Sequence, residues 1–164
     1  MLIAWSNLID DLTETGQFMA AQKLLVKARP LYKKFSQPWF ENIRKWIEGK
    51  IARGLGQADQ AESFFLAARA GFLLADAAYD TALVSLDLAS LYAEQGRMAE
   101  IKRLAEEMIP IFSSRQIHRE ALAALDYWRQ AVEAEQACAT LVAGVASFLK
   151  KARHNPELRF QRPE

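Results

Sequence analysis

Two histidines, a single cysteine and two pairs of adjacent carboxylates are the main groups this chain offers toward catalysis. His118 sits in Gln-Ile-His-Arg-Glu-Ala-Leu with Glu120 close by, but no second ligand follows at the three- or four-residue spacing that would put two donors on one helix face. His154 lies beside a proline-containing terminus. Cys138, in Gln-Ala-Cys-Ala-Thr-Leu, has small apolar neighbours, which suits a buried, inert thiol. Asp10 with Asp11, and Glu106 with Glu107, are sequence neighbours, so on a helix they diverge instead of converging on one substrate. Gly54-Leu55-Gly56 follows no strand and therefore reads as a helix turn, not as a phosphate-binding loop. The expectation is a protein that is not an enzyme, with no catalytic residues, no metal site and no cofactor.

A second constellation is basic and aromatic. Tyr32, Phe35, Trp39, Phe40 and Trp46 alternate with Lys33, Lys34, Arg44, Lys45 and Lys50, the mixture that stacks bases and neutralises phosphates. The whole chain, however, has a formal net charge of only +1 and a pI near 7.8, well below the range of a dedicated nucleic-acid binder. Tryptophans at helical spacing also serve as core. Single-stranded nucleic acid is thus the weakest of the partner readings. The charge is nevertheless uneven: residues 23–53 hold nine basic and two acidic side chains, whereas residues 59–107 hold nine acidic and four basic ones. Such a division can steer a charged partner, or can simply solvate helix faces.

The elements that must position these groups are helices. Half of the 164 residues are hydrophobic, glycine and proline together number twelve, and Ala, Leu, Glu, Lys and Arg dominate without Val/Ile/Thr runs. No apolar run approaches the ~20 residues that span a bilayer, and the apolar opening lacks a basic segment and meets Asp10 and Asp11 at once, unlike a signal peptide. With one cysteine there is no internal disulfide, and a cytoplasmic location is expected.

Self-similarity then organises the chain. Gly16, Gly56 and Gly96 recur every forty residues, each between two amphipathic stretches. Ala21, Ala61 and Ile101 follow five residues later, and Tyr32, Phe72 and Phe112 keep the same phase, preceded by Pro30, Ala70 and Pro110. The unit is helix, glycine turn, helix. Expected helices are 2–14 with 17–35, 38–55 with 58–75, 78–95 with 98–115, and 117–134 with 137–153. In the fourth pair Gln136 stands where glycine would be, which marks a degenerate terminal unit. Pro38 suits a first helical turn, whereas Pro30 and Pro110 should kink their helices or end them early. The last eleven residues, with two prolines and no helical period, should leave the domain as a tail.

This pattern resembles the tetratricopeptide repeat. Small, large apolar, small and aromatic positions of that family fall here on Ile9, Gly49 and Ala89; Leu12, Ala52 and Tyr92; Ala21, Ala61 and Ile101; and Leu25, Phe65 and Ala105. The period of forty exceeds the family's usual ~34 and keeps a HEAT-type pair open as a rival. The stretch Ala-Leu-Val-Ser-Leu-Asp-Leu-Ala-Ser-Leu-Tyr-Ala-Glu-Gln-Gly-Arg, with Leu-Ala-Glu-Glu-Met-Ile-Pro-Ile-Phe and Lys-Lys-Ala-Arg-His-Asn-Pro-Glu-Leu-Arg-Phe after it, resembles the C-terminal tetratricopeptide region of multidomain bacterial regulatory proteins. That resemblance covers roughly residues 58–160.

The resemblance implies an all-α fold, a right-handed α-solenoid of about four antiparallel hairpins over residues 1–153 (units 2–35, 37–75, 77–115 and 117–153), with 154–164 as the tail. It also implies a concave groove lined by the first helix of each hairpin. That register gives Ser6, Asn7, Asp10 and Thr13; Trp46, Ile47, Lys50 and Arg53; Leu86, Asp87, Ser90 and Ala93; and Asp126, Tyr127, Gln130 and Glu133. Trp46, Lys50, Arg53, Asp87, Ser90, Asp126 and Gln130 are the expected partner-binding residues. The expected function is a regulatory protein-interaction scaffold that holds a peptide or protein segment, which could be another domain of the same polypeptide. The alternative is an intramolecular sensor or a homo-oligomerisation module.

Overall fold

A left-handed backbone at every fortieth residue sets the architecture. Gly16, Gly56 and Gly96 have φ of +74°, +75° and +70°, a region that side chains with a Cβ enter only at a cost. At each, the glycine N–H donates three residues back (Gly16 to Thr13, Gly56 to Arg53, Gly96 to Ala93), and the next N–H donates five back (Gln17 to Leu12, Gln57 to Ala52, Arg97 to Tyr92). This paired arrangement satisfies carbonyls that a helix end leaves free and turns the chain sharply. Asp76, twenty residues after Gly56, takes the same left-handed conformation (φ 63°), and its N–H donates to the Leu73 carbonyl. Aspartate is among the few side chains that tolerate it.

In a computed structural model of the chain, residues 2–35, 37–113, 119–134, 139–155 and 157–161 are described, and among them there are eight helices and no strand. They are α1 (Leu2–Glu14), α2 (Phe18–Lys34), α3 (Pro38–Gly54), α4 (Ala58–Leu74), α5 (Ala78–Glu94), α6 (Met98–Ser113), α7 (Arg119–Glu133) and α8 (Ala139–Ala152). Helices α2 to α6 begin twenty residues apart, so forty is the period of a hairpin and twenty that of a helix. Pro38 opens α3. Pro30 and Pro110 lie inside α2 and α6, and α2 runs on to Lys34 instead of ending early. Gln136, His118 and Cys138 lie outside the described residues.

The chain divides into two compact units, Met1–Asp76 and Ala77–Glu164. In the first, α1 pairs with α2, α3 with α4, and α3 also packs on both α1 and α2. Its core includes Ile9, Leu25, Tyr32, Ile47 and Ile51, with Phe65 and Phe72 fully buried from α4. The repeat positions Ala21 and Ala61 are wholly buried, as the small-residue spacing requires. Helix α3 is approached very closely from two sides. A Cβ on Gly49 would stand 2.5 Å from the Phe65 ring, and one on Gly54 would stand 2.2 Å from the Phe18 ring. At the other end of the hairpin, a Cβ on Gly71 of α4 would fall 2.0 Å from Asn42 Oδ1.

The second unit pairs its helices differently. A solenoid would set the two first helices, α5 and α7, side by side; instead, α5 packs on α6 and α8, and α7 on α6 and α8. Among the described residues this closes a ring of four helices. The closing contact is a two-pronged ion pair, with Arg153 Nη1 to Asp80 Oδ1 at 2.7 Å and Nη2 to Oδ2 at 3.0 Å. The Asp80 side chain is only 3% exposed, so this fork supplies the partner that a buried carboxylate requires. The terminal segment also departs from expectation. The Phe160 ring lies 5.8 Å from Tyr127 and 5.1 Å from Phe148, centroid to centroid, and so folds back on α7 and α8 instead of leaving the domain.

Two consequences can be measured. Gly49→Ala should lower stability by about 1–3 kcal/mol in urea denaturation, because overpacking against the fully buried Phe65 ring outweighs a helix-propensity gain of about 1 kcal/mol; an unchanged or raised midpoint would contradict the close approach. Tyr32 is buried, and its hydroxyl lies 2.7 Å from Ser6 Oγ. Burial raises its pKa above 10.0, partly opposed by the Ser6 hydrogen bond. Above pH 10 the unfolded phenol therefore ionises first, so this contribution to stability is complete below pH 10 and is lost as pH climbs through the folded pKa. Tyr32→Phe should show a smaller fall in denaturation midpoint between neutral and strongly alkaline pH than the parent.

Candidate protein-interaction surface

The expected groove residues divide between the two units. In the first, Lys50 is already engaged. Its Nζ lies 2.5 Å from Asp10 Oδ1 and 2.8 Å from Glu14 Oε1, and 5.0 Å from the centre of the Trp46 ring. The Lys50 side chain is only 9% exposed. Asp10 and Lys50 occupy the same repeat position forty residues apart, so their contact braces α1 against α3. Trp46 is likewise 9% exposed and stands edge-on to Phe72 at 5.9 Å; its indole belongs to the α3–α4 core. Arg53 is half-buried and carries interactions of its own.

In the second unit, Asp87 and Ser90 are half-buried on α5, and the Ser90 hydroxyl donates to the Leu86 carbonyl. Asp126 accepts from Arg129 Nε at 3.1 Å and Nη2 at 2.8 Å, and from Gln130 Nε2 at 2.7 Å. Arg129 also reaches Glu133. These polar groups therefore form intrahelical ladders along α7. The basic-aromatic segment is divided, with Lys33, Lys34 and Phe35 exposed. Tyr32 and Trp46 are buried, while Phe35, Trp39 and Phe40 pack on one another, with ring centres 6.5 Å and 5.2 Å apart.

Repeat register does not single out the cleft on the other side of α3. Helices α2 and α4 both run beside α3, and between them lies an open cleft of about 500 Å³. Its floor is Leu25, Ile51 and Ala52, all buried; Val26 and Phe64 supply apolar walls; Gln22, Gln57 and Gln60 give polar edges; and Lys23, Lys27 and Arg29 line the α2 side. Val26 is 54% exposed although it is apolar. Glu48, 8% exposed, lies at the floor and is held by Arg44 Nη1 at 2.7 Å and by Arg29 at 3.8 Å. The sequence signal that could have found this cleft is the composition of α2, which has five basic residues, no acidic one and the outward apolar positions Met19 and Val26. A second cleft, of about 550 Å³, lies along α8 in the second unit, lined by Phe148, Lys151, Leu158 and Phe160.

Among the described residues, no cluster of three His, Cys, Asp or Glu side chains could hold a metal ion, and no helix is long and apolar enough to cross a membrane. No protein-family model, curated protein or solved structure matches this chain.

Lys50→Met separates a brace from a clamp. Asp10 and Glu14 keep 36% and 50% exposure and can be hydrated when the ammonium is removed, so the loss should be only about 1 kcal/mol in chemical denaturation. A loss above about 3 kcal/mol would mean that the pair is effectively buried.

Proposed function

We propose that this protein is a tetratricopeptide-like interaction scaffold, in which stacked hairpins present a docking surface to a protein segment. The observation that carries this reading is the cleft between α2 and α4, where apolar side chains and exposed lysines line one recess. The repeat supports the scaffold: left-handed turns at fixed spacing and the Asp10–Lys50 contact between equivalent positions are what side-by-side hairpins produce. The first-helix face is less suited to docking, because Lys50 and Trp46 are committed inside the unit. On this reading the protein works in the cytoplasm without a cofactor, and its role is recognition, not chemistry.

Site-specific photo-crosslinking in the native host tests the assignment. A photoreactive residue at Val26 should join the protein to one reproducible species, and the same group at Asn7, on the first-helix face, should not. Equal labelling at both positions, or labelling at Asn7 alone, would refute the cleft as the docking surface.

A further inference from the structure

Resting on that protein-binding role, we infer that the α2–α4 cleft takes about two turns of an amphipathic helix whose carboxylates face α2. The lining runs from Gln22 to Arg29 on α2 and from Gln57 to Phe64 on α4. At 1.5 Å per residue each wall is ~10 Å long, or two helical turns. A ligand helix with apolar residues at i, i+3 or i+4, and i+7 would place them over Leu25, Val26, Ile51 and Phe64.

Charge distinguishes the two flanks. Lys23 and Lys27 stand one turn apart on α2, both exposed, and among the described residues neither has a carboxylate within ion-pair distance. The opposite edge, Gln57 and Gln60, is uncharged. An occupant with Glu or Asp on one flank and neutral polar residues on the other is complementary to both walls, and the asymmetry fixes its orientation.

Other occupants fit less well. An extended peptide that adds to a sheet needs free backbone donors and acceptors, and the cleft is walled by helices whose backbone groups are already paired. A polyphosphate strand would meet the Glu48 carboxylate at the floor, with Arg29 already turned toward it at 3.8 Å, and would find Tyr32 and Trp46 buried. A bilayer surface is too flat to follow a recess set between two helices.

The test is selection on the full-length chain from a displayed library of helical peptides of about four turns, followed by fluorescence anisotropy of the enriched peptides. Enriched sequences should be acidic and carry the apolar i, i+3/i+4, i+7 pattern. They should lose roughly tenfold or more in affinity for Val26→Asp and for Lys23→Glu with Lys27→Glu, and weaken as salt rises. Leu8→Asp, at another exposed apolar position, should bind as the parent does, and circular dichroism melts should confirm that all variants fold. Basic or non-amphipathic winners, winners indifferent to the cleft variants, or no cleft-dependent winner at all would overturn the inference. Vesicles containing one-third phosphatidylserine and a poly-uridine oligonucleotide serve as parallel probes; binding of either that the same variants abolish would also overturn it, in favour of a membrane or a nucleic acid. A partner crosslinked at Val26 in cells, with no acidic helix from the library, would leave the scaffold role standing and remove this inference alone.

Discussion

Everything in the first unit depends on ending a helix at a fixed residue. The left-handed turn at Gly16 or Gly56 stops the helix, satisfies two of its last carbonyls and sends the chain back antiparallel. With helices of seventeen residues and turns of three, equivalent positions in successive hairpins fall forty apart and come face to face. The Asp10–Lys50 ion pair is the direct result. A helix longer by one residue would rotate the next element by ~100°, and that ammonium would point elsewhere. The close approaches arise from the same timing, since Phe18 and Phe65 each start or centre a second helix over a glycine of α3.

The second unit obeys the same pacing and reaches a different pairing. Turn chemistry and a 3.6-residue apolar stripe dictate where a helix begins, where it ends and which side it buries. They do not dictate which neighbour covers that side. In the first unit α3 lies against both helices of the preceding hairpin; in the second, α8 returns to α5 and the Asp80–Arg153 fork secures the return. A buried carboxylate needs its partner wherever the chain can bring one, and Arg153 is the first residue after α8 ends. The fork accompanies the burial of Leu141, Val142, Val145 and Leu149 of α8, and which neighbour covers that face is what the local pattern leaves open.

This difference explains which features could be read in the residues and which could not. Helix boundaries were legible to within a few residues because glycine, Pro38 and apolar spacing act locally. Gly49 was legible as a small position, and Phe65 as the aromatic, because the repeat aligns them. The ring closure was not legible, since nothing within a helix of Asp80 or Arg153 reports on a partner 73 residues away. The docking of Phe160 was hidden for a similar reason: the prolines around it gave no helical period, but a non-helical segment can still pack an aromatic ring against Tyr127 and Phe148. The expected groove residues were identified by register alone. Register correctly made Lys50 and Asp10 equivalent, yet it could not tell that equivalent positions of opposite charge would neutralise each other.

Among the described residues, neutralisation of this kind reaches Arg29 of α2, through Glu48, but not Lys23 or Lys27. Elsewhere the chain interleaves its charges, as on α7, where Arg129 bonds both Asp126 and Glu133 within one helix, and on α3, where Arg44 is held by Glu41 and Glu48. Helix α2 has no acidic residue. Lys33 and Lys34 sit in its last turn, where the helix dipole favours cations, but Lys23 and Lys27 are mid-helix and one turn apart, a like-charge spacing that costs a few tenths of a kcal/mol. Glutamate at either position would relieve that cost and pair with its neighbour. A cation row that weakens its own helix, set beside an exposed valine and above a buried apolar floor, is the arrangement that the proposed acidic helix would neutralise.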